Sequence, residues 1–369
     1  MENFVVSARK YRPDNFRSVV GQAAITSTLK NAVKNNHLGH AYLFSGPRGV
    51  GKTTCARIFA KTINCKNLSE TVEACNECES CKSFNDNRAF NIHELDAASN
   101  NSVDDIRSLT EQVRIPPQVG KYSVYIIDEV HMLSQQAFNA FLKTLEEPPS
   151  HALFILATTE KHKIIPTILS RCQIYDFNRI KTEDAVEYLK FIAGEESISY
   201  EDDALHIIAQ KAEGAMRDAL SIFDQVVSFS EGKITYTSVI ENLNILDVEY
   251  YFNLTNDFLE NKVGKALLTL NEILEKGFDA RNFIGGLASH FRDLLVTKNP
   301  ETVVLLDVGS SIRDKYLKQA AEVPIEFIYG ALEICNDTDQ QFRNSKNQRL
   351  TIELALVKLG NLTRVQKKK

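Results

Sequence analysis

Two patterns of hydrophobic and polar residues divide this chain of 369 residues. Through the first 180 residues, short apolar and β-branched runs alternate with longer stretches of helical periodicity. Continuous apolar strands separated by helices are typical of a parallel sheet that helices cover on both faces. The pattern therefore predicts an α/β core with strands at 40–45, 122–128, 152–158 and 173–177, and another strand that begins near His93.

After residue 182 the periodicity becomes helical throughout. It predicts helices at 182–193, 200–213 and 215–228, followed by amphipathic helices that include 250–262, 263–276, 281–297 and 325–336. Acidic residues open the first two of these helices, where carboxylates complement the helix dipole. We therefore predict a core over residues 1–179, a small helical domain over 180–245 and a helical oligomerisation domain over 246–369.

Composition and charge narrow the class of protein. Hydrophobic residues make up 43% of the chain and charged residues 25%, values that are ordinary for globular proteins. No apolar run approaches the roughly 18 residues of a membrane-spanning helix, and the N-terminus lacks the order of a signal peptide, so we expect a cytoplasmic protein. A formal net charge of −5 argues against coating nucleic acid, so any DNA contact should be local or shared with partners.

A glycine-rich motif follows the first predicted strand. Residues 46–53 match the phosphate-loop pattern G-x-x-x-x-G-K-[ST], and they lie between a strand and a helix as the motif requires. Such glycines let backbone N–H groups surround phosphates, while Lys52 reaches the β and γ oxygens and Thr53 is placed to bind magnesium. The predicted nucleotide-binding residues are Gly46, Pro47, Arg48, Gly49, Val50, Gly51, Lys52, Thr53 and Thr54.

A pair of carboxylates ends the strand predicted at 122–128. Asp128 is predicted to hold magnesium, directly or through water, and Glu129 to orient and polarise the attacking water. A catalytic carboxylate beside the metal ligand favours hydrolysis over transfer of a phosphoryl group to another substrate. The two motifs together predict an ATPase that converts ATP to ADP and phosphate.

Three residues that follow these motifs have candidate roles in the same chemistry. Thr159 is predicted to sense the γ-phosphate, although the chemistry alone leaves Thr158 open. Arg217 begins a predicted helix and is expected to lean over the phosphates. Arg171 is expected at a domain surface, where an arginine can stabilise the transition state at the ATP of a neighbouring subunit.

Four of the seven cysteines crowd together directly after the phosphate-loop helix, within a segment at about 62–85 that we name the cysteine module. Four soft thiolates suit tetrahedral zinc, and a closed set of this kind is structural rather than catalytic. An iron–sulfur cluster uses similar spacings, but Lys82 follows the last cysteine where a ferredoxin has proline. The predicted zinc ligands are Cys65, Cys75, Cys78 and Cys81, and Cys55, Cys172 and Cys335 are predicted to be core residues.

Other polar residues near the motifs have plainer interpretations. His131 is predicted to pack or to form hydrogen bonds, because Glu129 already fills the role of a base, and His93 has no cysteine at ligand spacing. Acidic side chains in the helix that starts within 99–107 favour helix capping over phosphate contact. The closing Lys367-Lys-Lys369 is predicted to be a solvated tail.

The succession of motifs resembles the gamma/tau subunit family of the bacterial DNA polymerase III clamp loader. The resemblance is dense over the first 230 residues and rests on helical character and length beyond them. The segments that carry it are ARKYRP at 8–13, VGQ at 20–22, HAYLFSG at 40–46, LDAASN at 95–100, IDEVHML at 127–133, NAFLKTLEEPP at 139–149, ATT at 157–159, SRC at 170–172 and GAMRDAL at 214–220.

The resemblance implies a fold, an activity and partners. The fold would be an AAA+ core with a small zinc module inserted, then a helical lid and a helical collar. The activity would be that of an ATP-driven motor that opens a sliding clamp and loads it on primed DNA, without sequence specificity, for DNA polymerase III. The partners would be delta-type and delta-prime-type subunits and further copies of this chain in a pentamer.

The resemblance also implies roles for individual residues. The adenine pocket would be lined by Tyr11, Arg12, Pro13 and Val20. The roles in phosphate binding and hydrolysis would belong to residues that the motifs above already identify. Carried over by position, these are the P-loop residues Lys52 and Thr53, the Walker B pair Asp128 and Glu129, sensor 1 Thr159, sensor 2 Arg217 and the trans-acting finger Arg171.

Two alternatives stay open from the sequence. One is another AAA+ ATPase that remodels DNA in branch migration or recombination, and the other is a scaffold subunit that binds nucleotide without hydrolysing it. No acidic constellation for nucleotidyl transfer is present, so a polymerase active site is not expected on this chain. Nothing after Leu362 resembles the polymerase-binding and helicase-binding domains of longer family members, so we expect either the short form or a truncated long form.

Overall fold

The structure, a computed structural model, describes residues 5–86, 88–230 and 232–366, with residues 363–366 described by their backbone alone. The predicted lysine tail at 367–369 lies outside the described residues. The chain forms two compact units, one of Met1–Ile192 with Ala209–Asp224 and one of Ala193–Ile208 with Gln225–Lys369. The boundaries predicted after residues 179 and 245 stay predictions.

A five-stranded parallel sheet forms the centre of the first unit in the order β2-β3-β4-β1-β5. Strands β1, β3 and β4 are buried along almost their whole length, as continuous apolar runs between two layers of helices should be. The predicted strands are confirmed, and their bounds are β1 Ala41–Ser45, β2 Ile92–Asp96, β3 Ser123–Asp128, β4 Ala152–Thr158 and β5 Gln173–Asp176.

Helices of the first unit cover both faces of this sheet, because successive side chains of a strand point to opposite faces. On one face, Phe44 of β1 belongs to a buried cluster that includes Phe59, and on the other face Leu43 belongs to a cluster that includes Phe141. Short 3₁₀ turns at Phe16–Ser18, Val130–Met132 and Lys161–Lys163 lie among these helices. The helices up to the end of the sheet are α1 Ser7–Lys10, α2 Ala23–Lys34, α3 Lys52–Ile63, α4 Glu79–Asn85, α5 Val103–Val113, α6 Gln135–Glu146 and α7 Pro166–Leu169.

Capping explains where two of these helices start. Ser102 accepts a hydrogen bond from the Asp105 N–H at the start of α5, and the Asp105 side chain accepts one in return from the Ser102 N–H. Ser134 accepts from the Ala137 N–H at the start of α6. The capping interpretation of the acidic residues near α5 is therefore confirmed.

After β5, the described residues form helices and two short paired strands, β6 Ser199–Tyr200 and β7 Lys233–Ile234. One apolar cluster, which includes Phe258, Leu287 and Phe327, forms the core of the second unit. None of the described helices is both long enough and apolar enough to cross a membrane. A further 3₁₀ turn at Val303–Leu305 lies between α14 and α15. The helices after the sheet are α8 Thr182–Glu195, α9 Asp202–Lys211, α10 Met216–Phe229, α11 Tyr236–Asn242, α12 Val248–Leu259, α13 Val263–Glu275, α14 Ala280–Thr297, α15 Ser310–Glu322, α16 Ile325–Phe342 and α17 Gln348–Gln366.

Candidate functional site

The phosphate-loop motif forms the turn between β1 and α3, and its glycines are needed sterically. Gly46 has φ 150°, and a Cβ there would lie 2.3 Å from the Phe177 carbonyl oxygen. Gly49 has φ 77°, and its Cβ would lie 2.9 Å from the Ala215 Cβ. Only a residue without a side chain fits both the conformation and the space at these positions, so the loop backbone stays bare for a ligand.

Lys52, the first residue of α3, folds back over the loop. Its Nζ donates hydrogen bonds to the carbonyl oxygens of Gly46 at 2.8 Å and Pro47 at 2.7 Å. Burial lowers the pKa of the Lys52 ammonium, while the carboxylates of Glu129 and Asp128 act in the opposite direction. The Lys52 ammonium therefore lies at the phosphate loop, and the carboxylates of Asp128 and Glu129 at the end of β3 favour its charged form.

Thr53 and Asp128, the two predicted magnesium ligands, are in direct contact. The Thr53 Oγ1 donates to the Asp128 Oδ2 at 2.6 Å, and the Asp128 Oδ1 accepts from the Glu129 N–H at 2.9 Å. A hydroxyl and a carboxylate are oxygen ligands of the kind that Mg²⁺ takes. The geometry brings together two residues that are far apart in the sequence and that could share one cation.

Glu129 is held in place by the end of β4. Its backbone is left-handed, with φ 47°, which is uncommon for a residue with a side chain. Its Oε2 accepts hydrogen bonds from the Thr159 N–H at 3.2 Å and from the Thr159 Oγ1 at 3.1 Å. An uncommon backbone conformation at a carboxylate with a dedicated pair of donors is typical of a functional position.

Thr158 makes different contacts from Thr159. The Thr158 side chain is fully buried, and its Oγ1 lies 3.1 Å from the His131 Nδ1 and accepts from the Glu160 N–H at 3.0 Å. The other ring nitrogen of His131 lies 3.1 Å from the Glu160 Oε2. The hydrogen-bonding role predicted for His131 is confirmed, and of the two threonines it is Thr159 that contacts Glu129.

A cavity of about 650 Å³ in the first unit joins the phosphate loop, the acid pair and Arg217. The N-terminal residues predicted for the adenine pocket also line this cavity. Gly46 and Pro47, whose carbonyl oxygens accept hydrogen bonds from Lys52, do not line it. Its volume falls in the ordinary range for a small-molecule site, about 300–1,000 Å³. The predicted residues that line it are Tyr11, Arg12, Pro13, Val20, Arg48, Gly49, Val50, Gly51, Lys52, Thr53, Thr54, Asp128, Glu129 and Arg217.

The sequence did not identify several further residues of this cavity. Some lie inside segments that carried the family resemblance, such as Ala8 and Arg9, and could have been found there. Asp96, Met216 and Leu220 lie in such segments too, whereas no motif marks Tyr188 of α8. The added lining residues are Val6, Ala8, Arg9, Val19, Asp96, Ile180, Tyr188, Met216 and Leu220.

The N-terminal wall of the cavity, which we define as residues 6–20, is attached to its surroundings by hydrogen bonds. The Tyr188 Oη donates to the Tyr11 carbonyl at 2.6 Å, and the Arg12 Nε donates to the Thr54 Oγ1 at 3.1 Å. These bonds tie the wall to α8 and to the phosphate-loop helix. The wall therefore has a defined position beside the loop.

Arg171 lies apart from this cavity. Its guanidinium donates to the Glu146 Oε1 at 2.8 Å and to the Thr167 carbonyl at 2.7 Å, and its side chain is 34% exposed. It is not among the described residues that line the cavity. The surface position expected for this arginine is confirmed, while its role stays a prediction.

The four clustered cysteines point their sulfurs at one another. The Sγ atoms of Cys65, Cys75, Cys78 and Cys81 all lie within 4.8 Å of one another. Tetrahedral zinc with Zn–S bonds of about 2.3 Å needs sulfurs about 3.8 Å apart, so a small contraction would fit the ion. Backbone N–H groups of Cys78 and Glu77 lower the pKa of the Cys75 thiol to about 6, which favours the thiolate that binds metal.

Among the described residues, the other three cysteines do not belong to a cluster of possible metal ligands. Cys55 and Cys335 are buried, and burial raises the pKa of each thiol to about 12. Cys172 is only partly buried and packs against the core cluster that contains Phe141, and burial raises the pKa of its thiol to about 12 as well. The core prediction is confirmed for Cys55 and Cys335 and holds in part for Cys172.

The strand order β2-β3-β4-β1-β5, with the phosphate loop after β1 and the acid pair at the end of β3, defines an AAA+ P-loop core. Three family models match the chain in succession. They are DNA polymerase III, delta subunit, over residues 21–181, the DNA polymerase III clamp loader subunit, ATPase lid domain, over 184–232, and DNA polymerase III subunits gamma and tau domain III over 234–369.

Individual relatives agree with these matches. The chain is 33% identical to a DNA polymerase III subunit gamma of Buchnera aphidicola subsp. Baizongia pistaciae over 98% of each chain. It is 42% identical to the Bacillus subtilis DNA polymerase III subunit tau, over 95% of this chain and 62% of that protein. The chain belongs to the DNA polymerase III gamma/tau family, and it spans less than two thirds of the length of the Bacillus subtilis relative.

A solved structure with a similar fold is the Thermotoga maritima RuvB Holliday junction branch migration motor. It aligns with a TM-score of 0.49 and 19% identity over 71% of this chain and 85% of that chain.

Proposed function

We propose that this protein is an ATP-hydrolysing motor subunit of the replicative clamp loader, which opens the sliding clamp and loads it on primed DNA for DNA polymerase III. Thr53 and Asp128 are in direct contact in a cavity that Lys52, Glu129 and Arg217 also line, and this contact is the main support for the proposal. Membership of the gamma/tau family supports the same function.

Each residue has a chemical task in this proposal. Lys52 and the bare loop backbone bind the phosphates, and Arg217 approaches them from α10. Magnesium, when bound by Thr53 and Asp128, neutralises charge on the phosphate oxygens. Glu129 orients and polarises the attacking water, and Thr159, the proposed sensor of the γ-phosphate, donates two hydrogen bonds to the Glu129 carboxylate.

The base and ribose of ATP are assigned to the N-terminal wall. Tyr11, Pro13 and Val20 offer an aromatic and apolar surface at the cavity, and Arg12 is anchored to Thr54 beside the phosphate loop. The fixed φ of proline and the bond from Tyr188 to Tyr11 support a preformed surface for the base.

Arg171 is assigned to the ATP of a neighbouring subunit. Its side chain is partly exposed and is not among the described residues that line the cavity of its own chain, and both observations support this assignment. The partners we propose are delta-type and delta-prime-type subunits, further copies of this chain in a pentamer, the sliding clamp, and primed DNA without sequence preference. Such a protein would act in the cytoplasm.

The cysteine module is proposed to bind one structural zinc ion. The close approach of the four sulfurs supports this. With all four positions taken by protein sulfur, the ion would stabilise the module and leave no place for substrate.

The three-domain division is also a proposal. The model of the lid domain begins at residue 184, close to the boundary we propose after 179, and the model of the third domain begins at 234, ahead of the boundary we propose after 245. We assign the lid to 180–245 and the helical collar to 246–369.

The first test of this function is removal of the Lys52 ammonium. Lys52→Ala should abolish ATP binding and clamp loading while leaving the fold intact, because the side chain lies at the loop and its loss removes the cation that meets the phosphates. Titration with a fluorescent ATP analogue measures binding, and circular dichroism measures the fold.

Lys143→Ala on α6, which removes an exposed lysine, is the matched control and should bind nucleotide as the wild type does. A Lys52→Ala chain that loads clamps at the wild-type rate would overturn the assignment of the loop.

A further inference from the structure

One residue of the cysteine module reaches out of it to the N-terminal wall of the nucleotide cavity. The Glu73 Oε2 accepts a hydrogen bond from the Phe16 N–H at 3.0 Å. The Glu73 Oε1 lies 2.5 Å from the Lys30 Nζ, and the side chains of Glu73 and Lys30 are only 15% and 25% exposed. A charged acceptor on a backbone donor in such a sheltered place is a strong contact.

Glu73 is fixed within its own loop. The Ser69 N–H donates to the Glu73 carbonyl at 3.0 Å, and the Glu73 N–H donates back to the Ser69 Oγ at 3.0 Å. Cys75 follows two residues later and belongs to the four-sulfur cluster. The position of the Glu73 carboxylate is therefore set by the same loop that a metal ion would close between Cys65 and Cys75.

The other end of the contact leads directly to the cavity. Phe16 is 2% exposed and starts a 3₁₀ turn that Asn15 caps by accepting from the Ser18 N–H at 3.0 Å. The first N–H groups of a helical turn have no partner within the turn, and Glu73 supplies the partner for Phe16. The two residues that follow the turn, Val19 and Val20, line the cavity.

The module is attached to the phosphate side of the cavity as well. Helix α3 begins with Lys52 of the phosphate loop and ends at Ile63, two residues before Cys65. The cysteine cluster is therefore connected to the phosphate side of the cavity through α3 and to its N-terminal wall through Glu73.

We propose that the cysteine module is a brace for the nucleotide pocket, and that Glu73 is the positioning residue through which it holds the N-terminal wall. The inference rests on the proposed function, because it takes the cavity as the ATP site and the four cysteines as a metal site. In this proposal, metal binding by the cysteine module affects the affinity of the cavity for nucleotide. A metal site that stabilises only its own loop would have no such effect.

The test uses the whole chain with its metal, and it compares Glu73→Ala, Glu73→Gln and Glu70→Ala. A fluorescent ADP analogue is the probe, and metal content is measured on each sample. Glu73→Ala should weaken binding of the analogue about tenfold, because the Phe16 N–H and the Lys30 ammonium both lose their partner. Glu73→Gln keeps an oxygen for the Phe16 N–H and should stay within about threefold of the wild type.

Glu70→Ala, an exposed residue of the same loop, is the matched control and should bind as the wild type does. A Glu73→Ala chain that keeps wild-type affinity would overturn the brace. A Glu73→Gln chain as weak as Glu73→Ala would also overturn it, because the backbone contact would then have no part in holding the wall.

A second measurement needs no variant and no nucleotide. Removing the metal from the wild-type chain with a chelator should speed hydrogen exchange in residues 15–20, including the Phe16 amide, while β3 at Ser123–Asp128 keeps its protection. Unchanged protection of residues 15–20 after the metal has been removed would contradict the proposal.

Failure of the brace and failure of the proposed function give different results. A wild-type chain that binds ADP and metal, but whose affinity and exchange do not respond to Glu73→Ala or to the chelator, overturns the brace alone. A wild-type chain that binds metal but no nucleotide refutes the ATP site, and the exchange measurement still decides the brace. A wild-type chain that holds no metal refutes the zinc site and the brace together.

Discussion

The hydroxyl of Thr159 contributes to the proposed hydrolysis by donating a hydrogen bond to the Glu129 carboxylate. Thr159→Val removes the Oγ1 donor to Glu129 and keeps the N–H donor. Turnover in the assembled complex should fall about tenfold, the effect of one hydrogen bond on a carboxylate that acts in the transition state. The dissociation constant for nucleotide should not change, because Thr159 is not among the described residues that line the cavity.

Thr159→Ser is the control for this prediction, because it keeps the hydroxyl and should restore turnover. Wild-type turnover by Thr159→Val would show that Glu129 needs no help from this side chain. A matching loss of nucleotide affinity would show that the threonine acts on binding instead.

Arg171 carries the second prediction at this scale. Arg171→Ala should keep nucleotide affinity but lower turnover in the assembled complex at least about a hundredfold, because an arginine finger supplied by a neighbour stabilises charge in the transition state. Single-turnover phosphate release by the reconstituted complex measures the effect.

Glu146→Ala is the matched control for Arg171. It removes the carboxylate that lies 2.8 Å from the guanidinium but leaves the arginine itself, so turnover should persist. Normal turnover by Arg171→Ala would mean that the finger is another residue.

At the residue scale, sequence predicted what depends on short local patterns. Lys52 and Thr53 follow from the loop motif, and Asp128 and Glu129 from the end of one apolar strand. Thr159 was predicted over Thr158, but Thr158 stayed open because the two side chains have the same chemistry. Tyr188 was missed since its place at the cavity depends on how α8 packs.

At the scale of elements, the contact of α14 with α15 gives a pH-dependent prediction. His290 of α14 is 1% exposed, and its ring nitrogens lie 3.0 Å from the Tyr316 Oη and 3.1 Å from the Gln319 Oε1. Burial lowers the pKa of His290 from 6.5 to about 3, so the folded state keeps the ring neutral. As the pH falls below 6.5, the unfolded chain takes up a proton that the folded chain refuses, and the free energy of unfolding decreases.

His290→Gln removes this proton uptake. The difference in free energy of unfolding between the wild type and His290→Gln should therefore shrink by about 1.4 kcal/mol for each pH unit below 6, down to about pH 4. Denaturant titrations followed by circular dichroism at several pH values measure it. His37→Gln, which removes an exposed histidine, is the control, and a constant difference for His290→Gln would contradict the prediction.

Elements with a continuous or strongly periodic pattern were predictable, and the others less so. Strands β1, β3 and β4 are apolar along their length because both faces are covered, while the edge strand β2 is half exposed and gave only its starting point. The pattern does not single out α15, a polar helix whose buried side is limited to Ile312, Tyr316, Gln319 and Ala320.

At the scale of the whole molecule, the order of motifs predicted the family, because many segments had to agree in one succession. Distances between parts of the chain that are remote in sequence could not be predicted in the same way. The contact of Glu73 with Phe16 joins positions 57 residues apart, and neither residue belongs to a motif. Such contacts depend on how the module packs, so only the structure reveals them.

In the proposed function, ATP hydrolysis by this chain is completed by assembly with its partners and coupled to loading of a clamp. The most direct measurement is steady-state ATP turnover by the chain alone, then with delta-type and delta-prime-type subunits, and then with sliding clamp and primed DNA. We expect slow turnover by the chain alone and strong stimulation only when clamp and primed DNA are both present. Equal turnover in all of these mixtures would contradict it.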